Sequence, residues 1–205
     1  MKPLLSSFYF GSVEHYRLLA RHQSAVIDIG EHYARQSYRT RTSIVGPNGR
    51  QDLSVQIVHD HGRKMPVREV RLSYSETWPQ QHLHAIRSAY GNAPWFIHYF
   101  NDLEQVLLTR YERLIDLNMA TLELGLRWLG LSAAIEIASE YREEQSPDMF
   151  DLRSLLHPKK ALNRAVPPVP PYPQVFAARH GFTPRQSIID LVCNQGPLAL
   201  HALGA

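Results

Sequence analysis

Residues 4–29 read LLSSFYFGSVEHYRLLARHQSAVIDI, and this stretch decides the predicted fold. Residues 4–10 are apolar and aromatic around two serines, and residues 25–29 form a β-branched run, so each predicts a strand. Between them, residues 13–21 carry apolar side chains at helical spacing and predict a helix. Strand, helix and strand in this order predict a parallel β-α-β unit, with Asp28 near the carboxyl end of its second strand.

A hairpin pattern follows this unit. Residues 38–45 alternate in polarity, residues 53–57 alternate again, and the sequence Gly46-Pro47-Asn48-Gly49 between them strongly favours a turn. Residues 67–74 also alternate and could add a further strand. Residues 134–138 are short and mostly apolar, and they predict one more strand.

The chain from residue 77 onward is predicted to be mainly helical. A capping-box pattern over residues 77–80 begins one helix, and Gly91 to Pro94 ends it. A second helix is expected to start at Asn101, and an apolar stripe at helical spacing runs from 107 to 129. Residues 183–186 are predicted to cap the last main helix.

The composition is that of an ordinary globular protein. The 205 residues are 44% hydrophobic and 20% charged, enough to build a core and unlike a disordered chain. The elements predict an α/β or α+β fold, with a small mixed sheet and a β-hairpin flanked by helices, as a single domain over residues 1–205. Residues 158–173 contain six prolines and predict an extended surface crossing within that domain. The alternative is a ligand motif for an SH3-type partner.

Charge and composition exclude several classes of function. The net charge of +3 is too small and too scattered for a nucleic-acid-binding surface. Residues 122–138 are the most apolar stretch but contain Glu123, Arg127 and Glu136, so we expect no membrane span. The single cysteine, Cys193, excludes an internal disulfide, and the N-terminus has no apolar signal-peptide core. We therefore expect a cytoplasmic protein, of an oligomeric state that the sequence leaves open.

Two His-x-His pairs are candidates for metal ligands. Side chains two residues apart on a helix point about 200° apart, so His82 and His84 cannot share a metal. His59 and His61 could share a strand face, but neither pair has an evident third ligand, and the sequence predicts no metal. His82 is either a core histidine that makes one hydrogen bond or a residue of the site. Asn118 lies on an apolar stripe and is either a structural clamp or a residue of the site. The sequence contains no nucleophile motif, phosphate loop or dinucleotide fingerprint, so we expect no cofactor.

Arginines and a polar stripe are the candidates for substrate binding. Arg39 and Arg41 are two apart on a predicted strand, so both guanidinium groups would share one face and suit a phosphate or carboxylate. The alternative is a pair of solvated arginines on an edge strand. Ser187, Asp190 and Asn194 form a polar stripe on the last predicted helix, which is a solvated face or one wall of a site.

Several stretches together carry a resemblance to a known family. They include Phe8-Tyr9-Phe10, Val26-Ile27-Asp28, Gln36-Ser37-Tyr38-Arg39-Thr40-Arg41, Gly46-Pro47-Asn48-Gly49, Leu117-Asn118, Gly181-Phe182-Thr183-Pro184, Ser187-Ile188-Ile189-Asp190-Leu191 and Asn194-Gln195-Gly196-Pro197. In their order and spacing they resemble the WbqC-like family over almost the whole chain. Gly11-Ser12 stand where family members usually have prolines, and the chain resembles the short form, without the extra segment of longer members.

The resemblance implies a role in bacterial surface-polysaccharide, or O-antigen, synthesis. It implies transfer of an acyl or aminoacyl group, such as glycine, to a small-molecule substrate, an amino sugar nucleotide. In this interpretation Asp28, Glu31 and His82 are catalytic. The substrate-binding residues would be Gln36, Tyr38, Arg39, Arg41, Asn118, Ser187, Asp190 and Asn194. The alternatives are a non-catalytic binding or assembly protein of the polysaccharide machinery and a nucleotide-dependent, ligase-like enzyme. An enzyme should gather Asp28, Arg39, Arg41, His82 and Asp190 around one pocket.

Overall fold

A parallel sheet and a separate hairpin organise the protein, whose computed structural model describes residues 1–58, 64–143 and 149–205. In chain order the elements are β1 (Lys2–Ser6), α1 (Val13–His22), β2 (Ser24–Asp28), β3 (Arg41–Gly46), β4 (Gly49–Ser54), α2 (Trp78–Tyr90), α3 (Phe96–Leu108), α4 (Leu114–Leu129), β5 (Ala134–Ala138), β6 (Met149–Asp151), α5 (Ala177–His180), α6 (Ile188–Gln195) and α7 (Ala199–Ala202), with short 3-10 helices at Val67–Glu69 and Gly196–Leu198.

The parallel sheet has the strand order β5-β2-β1-β6. Leu4 of β1 pairs with Val26 of β2 and with Asp151 of β6, and α1 makes the crossover from β1 to β2. The predicted β-α-β unit is therefore confirmed. Its first strand ends at Ser6, earlier than expected, where the pairing with β2 ends at Asp28, and the chain then turns at Phe10, which has a φ of 41°.

The hairpin is formed by β3 and β4, as predicted. Gly46 pairs with Gly49 across a two-residue turn, and the φ of 96° at Gly49 is one that glycine adopts without steric cost. Among the described residues, β3 and β4 form a two-stranded sheet of their own. The mixed α/β class is confirmed, with the parallel and antiparallel pairs in two different sheets.

The further strand over residues 67–74 is not formed. The chain there makes the 3-10 helix Val67–Glu69 and then isolated bridges, including Arg71 with Arg113. Val70 and Leu72 are buried, and both exchange backbone hydrogen bonds with the turn before α4. The alternating pattern therefore reflects a segment that is buried beside the turn before α4, and not a strand of a sheet.

The helical region has one more break than its apolar stripe indicated. The helix expected at Asn101 begins at Phe96, and the stripe from 107 to 129 is divided between α3 and α4. Thr109 ends α3, because its hydroxyl donates to the Gln105 carbonyl at 2.8 Å and its backbone is extended. Within the described residues, none of the helices has the length and apolar character needed to cross a membrane.

One buried apolar cluster joins the two ends of the chain. It includes Leu5 and Leu203, and it draws on α1, the hairpin and helices α2, α3, α4 and α6. This packing supports the predicted single domain. Residues 158–173 cross the surface outside helices and strands, with Val166, Val169 and Tyr172 buried beneath mostly exposed prolines. The crossing is thus part of the packed body.

Candidate functional site

The topology of the parallel sheet indicates where a ligand would bind. From β1 the chain moves to β2 on one side, whereas β6 lies on the other side of β1, so the winding reverses between β1 and β6. In open parallel sheets, ligands bind outside the carboxyl ends of the strands at such a reversal. Here those ends are Ser6, Asp28 and Asp151.

A cavity of about 430 Å³ opens at this edge of the sheet, a size that suits a small-molecule ligand. Its walls come from the segment after β2, the segment after β5 and the segment that begins at the end of β6. The lining residues are Glu31, His32, Ala34, Arg39, Tyr141, Asp151, Arg153, Ser154, Leu156, His157 and Lys160. Charged side chains of both signs therefore face one space.

A buried ion pair between Glu31 and Arg39 forms one wall. Arg39 Nε donates to Glu31 Oε1 at 2.9 Å, and Nη2 donates to Oε2 at 2.5 Å. Ser6, at the end of β1, accepts from Arg39 Nη2 at 2.7 Å and donates to Glu31 Oε2 at 3.1 Å. Both oxygens of the carboxylate and most of the guanidinium fork are engaged, so the pair fixes the shape of the wall.

A second part of the wall is built around Arg153, which bridges two carboxylates. It donates to Asp28 through Nη1 and to Asp151 through Nε at 2.9 Å, and its guanidinium lies 4.8 Å from the Tyr141 ring centre. Burial lowers the pKa of Arg153, but the hydrogen bonds and charges of Asp151 and Asp28 outweigh burial and raise it. Asp28 Oδ1 also accepts two backbone N–H groups, at 2.9 and 3.0 Å. Asp28 thus ties the end of β2 to β6.

The mouth of the cavity carries the Lys160 ammonium, which makes no ion pair with a carboxylate of the described residues. His157 Nδ1 accepts the backbone N–H of Lys159 at 3.2 Å, so the proton of the neutral ring is on Nε2. Burial lowers the pKa of His157, and the positive charges of Lys160, Arg39, Lys159 and Arg185 lower it further. In the described part of the chain, the Lys160 ammonium has no carboxylate within ion-pair distance. This surplus suits an anionic ligand.

Some of the predicted site residues lie at or beside this cavity. Glu31 and Arg39 line it, and Asp28 is bonded to Arg153 in its wall. Gln36 accepts from the Lys159 ammonium at 2.6 Å. Asn118 is buried and donates to the Arg39 carbonyl at 3.0 Å, so it clamps the segment that carries Arg39.

Tyr38 lies deeper than the cavity wall. Its side chain is buried, its ring packs against Phe8 with centroids 5.8 Å apart, and burial raises the pKa of its hydroxyl. The hydroxyl makes no hydrogen bond of good geometry with the described residues. Its part in substrate binding stays a prediction.

Arg41 and His82 are not among the lining residues. The expectation that Arg39 and Arg41 share a strand face is wrong, because β3 begins at Arg41 and Arg39 precedes it. Arg41 pairs instead with Asp52 of the hairpin, at 3.3 Å. His82 is buried, its Nδ1 lies 2.9 Å from the Tyr9 hydroxyl oxygen, and burial lowers its pKa to about 4. This geometry matches a core histidine, and a catalytic role for His82 stays a prediction.

The polar stripe of the last helix is buried, so the solvated interpretation is wrong. Ser187 caps α6 in place of residues 183–186, accepting the backbone N–H two residues on at 3.3 Å. Asp190 Oδ2 accepts from the Tyr172 hydroxyl at 2.6 Å and from Gln174 Nε2 at 2.7 Å, and Asn194 accepts a backbone N–H at 3.0 Å. These contacts hold residues 172–175, at the end of the proline-rich crossing, against α6.

Sequence reasoning missed four important residues of the cavity: Asp151, Arg153, His157 and Lys160. Asp151 ends β6 and the other three follow it, and β6 has only three residues, too few to show a period. The pair Lys159-Lys160 beside Pro158 was a visible basic signal, but a charge pair on a predicted surface crossing does not indicate a site by itself. The described residues contain no group of three potential metal ligands, and His59 and His61 lie outside them.

Comparison with known proteins gives one match. The model of the WbqC-like protein family matches residues 7–164 of this chain. All residues that line the cavity lie inside the matched region, whereas Arg185 and α6 lie beyond it. No curated protein and no solved structure matches the chain.

Proposed function

The chain belongs to the WbqC-like protein family, and we propose that its cavity binds an amino sugar nucleotide and transfers an acyl or aminoacyl group to the amine of that sugar. The observation that carries the proposal is the Lys160 ammonium, which makes no ion pair with the described carboxylates and lines, together with His157, a cavity at the carboxyl edge of the sheet. Nucleotide phosphates are the anions that a cation beside an N–H donor suits.

Each wall has a distinct role in this proposal. Lys160 and the Nε2–H of His157 bind the phosphates, and the rings of the sugar nucleotide occupy the space beside Tyr141 and Arg153. The Glu31–Arg39 and Asp28–Arg153 pairs hold the walls in place. When the amine attacks the acyl carbon, it forms the new C–N bond, releases the leaving group of the donor and loses a proton. Glu31 and Asp151 are the carboxylates that line the space where this proton is released.

A second candidate, a non-catalytic binding protein, is favoured by one specific observation. Asp28 and Glu31, the predicted bases, both accept hydrogen bonds from arginines, so their oxygens already have partners within the protein. A site built this way can recognise a ligand without a free base. The two candidates share the ligand and differ in turnover.

The proposal is tested by calorimetric titration with a panel of amino sugar nucleotides. We expect Lys160→Ala to weaken binding by about tenfold or more, since a hydrogen bond to a charged group contributes about 1.5–3 kcal/mol. Lys2→Ala is the matched control, because Lys2 starts β1 at the opposite edge of the sheet and its side chain forms an exposed ion pair with Glu136. Equal affinity in wild type and Lys160→Ala, or no binding of any member of the panel, contradicts the proposal.

Turnover then separates the two candidates. The bound nucleotide is incubated with activated acyl and glycyl donors, and amide formation is followed by mass spectrometry. Formation of the amide by wild type, lost in Lys160→Ala, supports the transferase. Tight binding without product for every donor favours the binding protein.

A further inference from the structure

Arg185 connects the start of α6 to the loop that forms the mouth of the cavity. Its guanidinium donates to the carbonyl of Lys160 at 2.7 Å and to the carbonyl of His157. Those two residues line the cavity, and Arg185 itself does not. One side chain therefore holds the backbone of the residue that presents a positive charge, Lys160, and of the residue that presents a ring N–H, His157.

The backbone that carries Arg185 is anchored to the rest of the fold. The next carbonyl, of Gln186, accepts the N–H of Val13 at 2.9 Å, and the N–H of Ser187 donates to Ser43 at 2.8 Å. Arg185 itself has a φ of 63°, in the left-handed region that non-glycine residues seldom occupy. Such a conformation persists where the surroundings impose it, and it is concentrated at functional sites.

The charge of Arg185 has fewer nearby carboxylates among the described residues than the charges of the arginines in the cavity walls. Arg39 and Arg153 each form a close ion pair with a carboxylate, but in the described ranges Arg185 has no carboxylate within ion-pair distance. The acid that interacts with it electrostatically is Glu14, whose oxygens make no hydrogen bond of good geometry with described residues. Burial raises the pKa of Glu14 and so favours its uncharged form.

We infer that Arg185 is a positioning residue, which fixes the loop of residues 157–160 so that His157 and Lys160 bind one multiply charged anion of the pyrophosphate type. The inference rests on the proposed function and narrows it to a diphosphate-linked substrate. Lys160 and His157 line the same cavity, and because one guanidinium holds both of their carbonyls, an ammonium and a ring N–H are presented side by side. A diphosphate supplies several charges and oxygen acceptors on neighbouring centres.

The test compares pyrophosphate with phosphate as probes, titrated calorimetrically into the full chain at low salt. Arg185→Asn removes the charge with a residue that tolerates the left-handed backbone, and Arg185→Lys keeps the charge without the fork that holds two carbonyls. Arg164→Asn is the control, because Arg164 is an exposed arginine on the same connecting segment. The preference for pyrophosphate over phosphate is the decisive quantity, since a general loss of stability does not change it.

We expect wild type and Arg164→Asn to prefer pyrophosphate, and both Arg185 variants to lose about tenfold or more of that preference. Thermal melting shows that each variant is folded under the titration conditions. A preference that stays at the wild-type value in either folded Arg185 variant overturns the inference and leaves the proposed function intact. Failure of the wild type to bind either probe or any sugar nucleotide removes the proposed function itself.

Discussion

At the scale of single residues, Arg39 and Arg41 show how neighbouring positions acquire different roles. The Arg39 side chain is buried and bidentate to Glu31, whereas the Arg41 side chain is 22% exposed and reaches Asp52 across the hairpin. The same residue type, two positions apart, is therefore internal in one case and near the surface in the other. Burial decides the energetic consequence of losing each.

Replacement of these two arginines by alanine should have unequal effects on stability. Arg39→Ala leaves the Glu31 carboxylate buried without a partner, and we expect a loss of about 3–5 kcal/mol in the free energy of unfolding. Arg41→Ala removes a partly exposed ion pair, and we expect a loss of about 0–1 kcal/mol. Urea denaturation at pH 7 measures both. Equal losses in the two variants would show that Arg39 is not the internal residue described above.

His82 should contribute a pH dependence of stability that can be measured. Its pKa is lowered by burial from 6.5 to about 4, so between these values the unfolded chain binds the proton and the folded protein does not. The contribution of the uncharged His82 to the free energy of unfolding is fully present above pH 6.5. It is lost as the pH falls towards 4, by up to roughly 3 kcal/mol. His82→Gln should therefore be destabilised at pH 7, and its deficit relative to wild type should shrink at pH 5.

The exposed neighbour His84 provides the control for this measurement. His84→Gln removes a histidine of the same helix, α2, whose side chain lies at the surface. Its stability difference from wild type should be the same at pH 7 and pH 5, in urea titrations at both values. A deficit of His82→Gln that does not change with pH would mean that the histidine is not held uncharged by burial.

At the scale of elements, the two serines that precede α1 and α6 make a natural comparison. Ser12 and Ser187 occupy the N-cap positions and face each other in an antiparallel bridge. Ser187 Oγ accepts the N–H of Ile189 and donates to the Phe10 carbonyl at 3.2 Å, but Ser12 Oγ makes no capping bond. Position alone therefore does not make a cap, since the hydroxyl must also point at a free N–H.

Replacement of each serine by alanine should distinguish a hydroxyl that makes a capping hydrogen bond from one that does not. We expect Ser187→Ala to lower the free energy of unfolding by about 1–2 kcal/mol, since the cap and a buried bond are both lost. Ser12→Ala should change it by less than about 0.5 kcal/mol. Chemical denaturation of both variants under one set of conditions gives the comparison. A loss in Ser12→Ala as large as in Ser187→Ala would contradict the assigned geometry.

At the scale of the whole molecule, the core connects distant parts of the sequence. The sheet takes β6 and β5 from the second half of the chain to flank β1 and β2, and the first and last elements share one apolar cluster. A fragment of either half would therefore lack strands or core contacts that the other half supplies.

Limited proteolysis should accordingly yield no pair of stable, separately folded fragments. Denaturation followed by fluorescence and by circular dichroism should give one coincident transition, as expected for a single cooperative domain. Two protease-resistant fragments that remain folded after separation, or two resolved transitions, would show that residues 1–205 are not one domain.

Local sequence patterns were sufficient for much of this fold. The β-α-β unit, the hairpin and the strand β5 follow from β-branched runs, helical spacing and a glycine turn, because these signals act over a few neighbouring residues. The buried Asn118 was also foreseeable, since an amide on an apolar stripe must find a partner. Less of the cavity was predictable: Asp28, Glu31 and Arg39 were named, but the residues after β6 were not.

What the sequence determined by itself was the β-α-β unit, the hairpin, β5 and the polar residues near the end of β2. What only the tertiary structure decided was which charges meet. Arg153 reaches Asp28 across 125 positions, and Arg185, just before α6, reaches Lys160 across 25. The strand order and the crossing of the proline-rich segment bring these groups together. The physical reason is that an ion pair depends on distance and burial, and neither quantity is encoded in spacing along the chain.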